Sequence, residues 1–119
     1  MNCGSAGIYN DIDNGQHGVT AATIDPIKES TYAFLATFIE EVASVFEDSN
    51  IHFGGDEVSK TCWSKGPTRD YAVDSHTLQT KFTKRILQIA ARFNRTGVLW
   101  DECLEHGAPA ETIVQVWRG

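Results

Sequence analysis

Apolar residues in the middle of the chain recur at helical spacing. Phe34, Leu35, Phe38, Ile39, Val42, Val45 and Phe46 share one side, with Glu40, Glu41 and Glu47 opposite. The pattern predicts a helix from Thr31, with Ser30 or Thr31 as N-cap and Asp48-Ser49-Asn50 as its stop. Ile51-His52-Phe53 then reads as a short strand closed by Gly54-Gly55, and residues 59–74 as a connecting loop around Gly66-Pro67. A second amphipathic helix is predicted at about 75–93. Leu78, Phe82, Ile86, Ile89, Ala90 and Phe93 form its apolar face, while Lys81, Lys84, Arg85 and Arg92 keep much of the rest in water. Gly97-Val98-Leu99-Trp100 is too short for a helix and reads as a buried strand. Beyond a break at Gly107-Ala108-Pro109, residues 112–117 read as another strand. Residues 1–30 are different: Gly4, Gly7, Gly15, Gly18 and Pro26 punctuate a polar stretch with no sustained period, so a loop is expected there.

Helix, strand, helix, strand, short connection, strand is an α/β order, and it implies parallel pairing through right-handed crossovers. The fold expected is a partial (β/α)8 TIM barrel of about three parallel strands with intervening helices. A parallel sheet is normally covered on both faces, and three strands cannot close a barrel of eight. The chain is therefore expected to be cut at both ends, as one piece (1–119) of a larger catalytic domain with a loop-rich lead-in over 1–23.

Composition narrows the partners. Sixteen acidic residues against ten basic give a net charge of -6, which argues against nucleic acid or an anionic membrane as partner. No apolar run approaches the ~18 residues of a membrane span. Residues 1–5 have neither a charged n-region nor an apolar h-region, so no signal peptide is expected in this chain. Three cysteines, Cys3, Cys62 and Cys103, show no Cys-x-x-Cys spacing that would suggest zinc; taken alone they read as reduced, buried thiols. Asn94-Arg95-Thr96 is an N-glycosylation acceptor triplet, placed where a helix should give way to a strand.

The chemistry concentrates in Ile51-His52-Phe53-Gly54-Gly55-Asp56-Glu57-Val58. The glycines allow a sharp turn or a close backbone approach after the strand. Asp56 and Glu57 follow at the strand's C-terminal end, where active sites form in parallel α/β architectures. An Asp-Glu pair is ordinarily solvated surface, but the position after a glycine turn favours function here. Neighbouring side chains point in different directions, and in a partly enclosed site their repulsion favours a proton on one of them. One acid can then donate to a leaving oxygen while the other stays ionised. Adjacency does not place two carboxylates across a sugar ring, so a retaining glycosidase built on this pair needs its nucleophile from elsewhere.

The run His52-Phe53-Gly54-Gly55-Asp56-Glu57-Val58, with Cys62-Trp63 after it, resembles the signature of β-N-acetylhexosaminidases of glycoside hydrolase family 20, and of their eukaryotic lysosomal and secreted members in particular. The likeness extends over about residues 24–119, through Asp25-Pro26, Val98-Leu99-Trp100-Asp101-Glu102 and residues 112–117. It implies hydrolysis of terminal non-reducing N-acetylglucosamine or N-acetylgalactosamine by a substrate-assisted retaining mechanism. The substrate's 2-acetamido oxygen would attack the anomeric carbon and form an oxazolinium intermediate. Asp56 would orient and stabilise the acetamido group, and Glu57 would serve as general acid and then base. Trp100 and Trp117 match tryptophans that wall the pocket around the acetamido methyl; His52 matches the family's histidine, as a hydrogen-bonding support or as a core residue. Cys3 and Cys62 resemble the half-cystines of a loop-tying disulfide, which with Asn94 implies a lysosomal or secreted parent protein. The parent is left open as a dimer. The resemblance implies an amino-sugar glycan as partner and no cofactor or metal.

The family's sugar-gripping arginine and the later residues that floor the pocket have no counterpart in these 119 residues. One alternative is thus a non-catalytic, truncated or diverged protein that at most binds amino sugars or a partner. Another is a hard-cation site at Asp56, Glu57, Asp101 and Glu102, although no loop has Ca²⁺-site spacing. The isolated chain is expected to fold poorly and to be inactive, its inner strand faces, with Val98, Val114 and Val116, lacking an opposite wall.

Overall fold

The computed structural model of the chain describes residues 8–11, 21–58, 63 and 74–119. Strands β1 (Ile8–Asp11) and β2 (Ala21–Ile24) pair antiparallel, Ile8 opposite Ile24 and Asp11 opposite Ala21. This hairpin corrects the loop expected over residues 1–30. Each strand has four residues, at the lower limit of what period-two alternation can reveal. The expected loop over 59–74 lies almost wholly outside the described residues.

Helix α1 (Glu29–Val45) begins two residues before the predicted Thr31. Its N-cap is Lys28, in extended conformation and without a side-chain capping bond, rather than Ser30 or Thr31. The entry is set just upstream, where the Asp25 carboxylate accepts the Ile27 N–H at 2.9 Å and Pro26 presets the backbone. Acidic Glu29 in the first turn complements the helix dipole. The chain turns extended at Phe46, so Asn50 belongs to the next strand rather than to the helix stop.

Strand β3 (Asn50–His52) leads to helix α2 (Ser75–Arg92). Asp74 caps α2, accepting the Thr77 N–H at 2.9 Å and the Thr77 hydroxyl at 2.6 Å. Strand β4 (Thr96–Trp100) runs straight into a 3-10 helix (Asp101–His106), which a left-handed Gly107 ends before strand β5 (Ile113–Gln115). The sheet order is β3-β4-β5, all parallel, an arc of the expected barrel. His52 pairs with Val98, Val98 with Ile113, and Trp100 with Gln115.

Paired residues of parallel strands share a face, and faces alternate along each strand. Ile51, Gly97 and Leu99 turn to the helices, with Gly97 and Leu99 fully buried. His52, Val98, Trp100, Ile113 and Gln115 fall on the opposite, barrel-inner face. Val98 and Val114 therefore do not share the inner face, as the sequence had suggested. Val114 is in register with Leu99, and Val98's partner is Ile113. Val116 lies beyond β5 and is exposed.

The main core joins Tyr32, Leu35 and Ile39 of α1 to Ile86 and Ile89 of α2, with Ile51 and Phe53 of the β3 segment against them. A smaller cluster sets Trp63 on Leu78. The expected apolar face of α1 is only partly used: Phe34 is 66% and Phe38 52% exposed, and Val45 and Phe46 are exposed too. Two apolar stripes lie side by side on this helix. The one through Tyr32, Leu35 and Ile39 meets α2 and the sheet; the one through Phe34 and Phe38, whose rings stack 6.3 Å apart, stays largely exposed, with Phe38 bordering a cavity beside Leu35 and Ile39.

Polar ties fix the two helices in place. Arg85 of α2 grips Glu29 through two 2.7 Å hydrogen bonds and lies 3.4 Å over the Tyr32 ring. Burial pushes the Tyr32 hydroxyl up to about 12, and it donates to the Pro26 carbonyl. At the far ends of the helices, Arg95 donates to the carbonyls of Ala43 (2.8 Å) and Phe46 (3.3 Å) at the end of α1, and to those of Phe93 and Asn94. One guanidinium thus satisfies carbonyls that the helix ends leave unpaired.

Candidate active site

After His52 the chain leaves β3 through backbone that side chains disfavour. Gly54 and Gly55 have φ of +71° and +94°, and Glu57 has +45°. The glycines carry no Cβ penalty there; Glu57 does, and local strain in a non-glycine residue is a mark of functional turns. Backbone bonds anchor the turn to β4: Phe53 N–H donates to the Val98 carbonyl at 2.9 Å, and Trp100 N–H to the Gly54 carbonyl at 3.0 Å. The parallel ladder so extends past β3 and ends where the carboxylates begin. Asp56 and Glu57 both lie exposed at this C-terminal end, rather than enclosed by the described residues.

His52 is the last residue of β3, on the barrel-inner face, and is exposed among the described residues. Its Nδ1 accepts the Gly54 N–H at 2.9 Å, which leaves the proton of the neutral ring on Nε2. Its ring lies 4.6 Å from that of Trp100, centroid to centroid. The histidine thus braces the glycine turn on one side and the tryptophan on the other.

Trp100 ends β4 half-buried, and Trp117 stands two residues beyond β5 at 49% exposure. Trp117 is held by a network that the sequence did not announce. Its main-chain N–H donates to Asp101 Oδ1 (3.3 Å), and its indole Nε1–H points between the two Glu102 oxygens at 3.2 and 3.1 Å. Arg118 binds Asp101 at 2.9 Å and Glu105 at 3.0 Å. Burial opposes the charge of Asp101, but the hydrogen bonds from Arg118 and Trp117 outweigh it and hold the carboxyl below its usual range. Asp101 and Glu102 are therefore engaged with Arg118 and Trp117, not turned towards a shared cation. Among the described residues no group of three or more His, Cys, Asp or Glu side chains could hold a metal ion. The available signal for this network was the placing of Asp101-Glu102 and Trp117-Arg118 just after successive strands.

The remaining assignments fall away from this cluster. Cys3 and Cys62 lie outside the described residues. Cys103 is a buried free thiol, as its sequence suggested, raised above its ordinary value by burial and by the charge of Asp101. Asn94 is exposed and left-handed (φ +57°) just after α2, where the acceptor triplet was expected to lie. No helix among the described residues is long and apolar enough to cross a membrane. An apolar cavity of about 370 Å³ lies on the helix side of the sheet, lined by Leu35, Ile39, Phe53, Phe82 and Leu99 among others. Neither Asp56 nor Glu57 lines it, although His52 and Gly55 do.

Known proteins resemble the chain in sequence and in fold. The profile of the family described as glycosyl hydrolase family 20, catalytic domain, matches residues 6–119, further towards the N-terminus than the resemblance visible from residue 24. The chain is 35% identical over 104 residues to the human beta-hexosaminidase subunit beta, covering 80% of this chain and 19% of that protein. It is 30% identical over 125 residues to the bovine subunit alpha, covering 97% and 24%. Among solved structures, a chitobiase of Flavobacterium johnsoniae superposes with a TM-score of 0.75 at 30% identity, over 86% of this chain and 16% of that one. An inactive variant of an exo beta-N-acetylglucosaminidase from Vibrio harveyi superposes over 99% of this chain and 19% of that one, with a TM-score of 0.79. At 22% identity that likeness speaks for the fold. The chain spans about a fifth of the length of the curated relatives it matches.

Proposed function

This chain belongs to glycosyl hydrolase family 20, and from that membership we propose that it carries the acid–base centre of a β-N-acetylhexosaminidase. The substrate is a terminal, non-reducing N-acetylglucosamine or N-acetylgalactosamine residue of a glycan or glycoconjugate. The observation that carries the proposal is the glycine turn that sets Asp56 and Glu57 at the C-terminal end of β3, beside β4, which ends in Trp100, and β5, which Trp117 follows by two residues.

The two acids are neighbours in the chain and do not flank a sugar from opposite sides, which supports a nucleophile supplied by the substrate itself. Its acetamido oxygen attacks the anomeric carbon as the glycosidic bond breaks, giving an oxazolinium ion. Asp56 accepts the acetamido N–H, holds the group in line and balances the charge that develops. Glu57 protonates the departing oxygen, then takes a proton from the water that opens the ring. Trp100 and Trp117 offer apolar surface to the acetamido methyl, and His52 keeps the turn and Trp100 in register. No cofactor enters this scheme. The Cys3–Cys62 disulfide, a glycan on Asn94 and a lysosomal or secreted setting belong to the same proposal, supported by the exposed Asn94.

The test is turnover by the full gene product of aryl N-acetylglucosaminide against the matching aryl glucoside. Cleavage of the first with retained configuration, none of the second, and inhibition by a thiazoline analogue are expected. Equal cleavage of both would remove the acetamido group from the mechanism. Binding without turnover would leave an amino-sugar binding protein.

A further inference from the structure

We infer that Glu102 is a positioning residue, setting the plane of the Trp117 ring through a two-centre hydrogen bond to the indole N–H. The inference rests on the proposal that Trp117 walls the sugar pocket.

Three observations carry it. First, the Trp117 Nε1 lies 3.2 and 3.1 Å from the two Glu102 oxygens, so the donor is shared across the whole carboxylate. Trp117 follows the end of β5, where no strand pairing fixes it, and half its surface is exposed. A tryptophan so placed turns about two side-chain bonds unless something holds its edge. Second, Glu102 is itself well held: its side chain is 13% exposed, it is the second residue of the short helix directly after β4, and Arg118 Nε lies 3.9 Å away. Third, the Trp117 backbone is pinned separately, its N–H on Asp101 Oδ1, and Asp101 is clamped by Arg118. Main chain and ring are thus fixed by adjacent acids on one short helix.

The chemistry of the contact follows. With its only donor engaged by Glu102, the indole has no hydrogen bond left for a ligand and presents apolar ring faces. Such a surface suits a methyl group or the C–H face of a sugar, not a hydroxyl. Glu102 neither touches substrate nor moves a proton in this account; it acts through Trp117.

The experiment pairs a structural readout with a kinetic cycle in the full gene product. Indole N–H resonances are recorded for ¹⁵N-tryptophan-labelled protein, with Trp117→Phe identifying the signal. Glu102→Ala should move the Trp117 resonance and speed its hydrogen exchange, while Glu102→Gln, which keeps one acceptor, should largely preserve both. KM for an aryl N-acetylglucosaminide should rise roughly tenfold in Glu102→Ala, the scale of one charge-assisted hydrogen bond, and much less in Glu102→Gln. In a Trp117→Phe background, Glu102→Ala should add less than about twofold, because both changes remove one interaction. An unmoved indole resonance would overturn the tether. A full additional loss in the Trp117→Phe background would show that Glu102 acts on its own. A moved resonance with unchanged KM in both single variants would instead overturn the pocket-wall reading beneath the inference.

Discussion

Trp100 donates its main-chain N–H to the carbonyl of Gly54 at 3.0 Å, so the turn bearing the two acids is hydrogen-bonded to the strand bearing the tryptophan. The turn therefore cannot shift without disturbing Trp100, and the spacing between carboxylates and ring is a property of the sheet. The predictions below concern the full gene product unless another is named.

Glu57→Gln should nearly abolish cleavage of substrates whose leaving oxygen needs a proton, and spare activated aryl leaving groups more. Rates of the glycosylation step across leaving groups of falling pKa measure this. A flat loss across the series would contradict the acid assignment.

Asp56→Asn should lower turnover by on the order of 10²–10³-fold, the scale for losing one electrostatic stabiliser. It should also weaken binding of a cyclised thiazoline analogue. Calorimetry showing unchanged affinity would take Asp56 out of the mechanism.

Gly55→Ala tests whether the turn is conformational or a matter of space. Nothing lies closer than 3.9 Å to an added Cβ, which would face Leu99, but φ is +94°. The expected cost is about 1–3 kcal/mol of strain, expressed as lost stability, as a moved carboxylate pair, or both. A variant with wild-type melting and wild-type kcat would show that the backbone here is not fixed.

Asp101 links the site to pH. Its folded-state pKa lies below that of the unfolded chain, so its contribution is fully present above about pH 4. It is lost as pH falls through the lowered folded value. Asp101→Asn should flatten the acid limb of the stability curve, read as denaturation midpoint against pH, and leave the neutral limb with the same slope. An unchanged acid limb would mean that the Arg118 pairing does not form in solution.

Residues 1–119 expressed alone should associate, since Phe34, Phe38, Ile113 and Val116 stay exposed. Light scattering and thermal melts decide it. A monomer with a cooperative transition and turnover of an aryl N-acetylglucosaminide would refute this.

The parts legible in the sequence were those where local pattern and tertiary role coincide. Leu78, Ile86, Ile89 and Ala90 return at helical spacing and are buried as expected, and the Gly54-Gly55 pair announced a turn that does have positive φ. Misreadings arose where one signal had two outcomes. The periodicity that named Leu35 and Ile39 also named Phe34 and Phe38, because hydropathy cannot say which stripe a neighbour will cover. A four-residue hairpin strand leaves too few positions for alternation to show. Arg118, Asp101 and Glu105 meet across 13 or more residues only because β4 and β5 are adjacent, a pairing that no local window contains.

Arg95 gives the fold an electrical polarity. It gathers the carbonyl ends of α1 and α2 under one positive charge, while α2 begins at the other end of the sheet, where His76 contacts the Glu105 carbonyl just after β4. Negative helix ends are neutralised on the side away from the acids, and the positive start of α2 lies on the side where Asp56 and Glu57 stand. The charge pattern of the helices thereby runs from one rim of the sheet to the other. The carbonyl ends that Arg95 binds are thus held by a cation, and the side bearing the two carboxylates receives the positive pole of α2 instead.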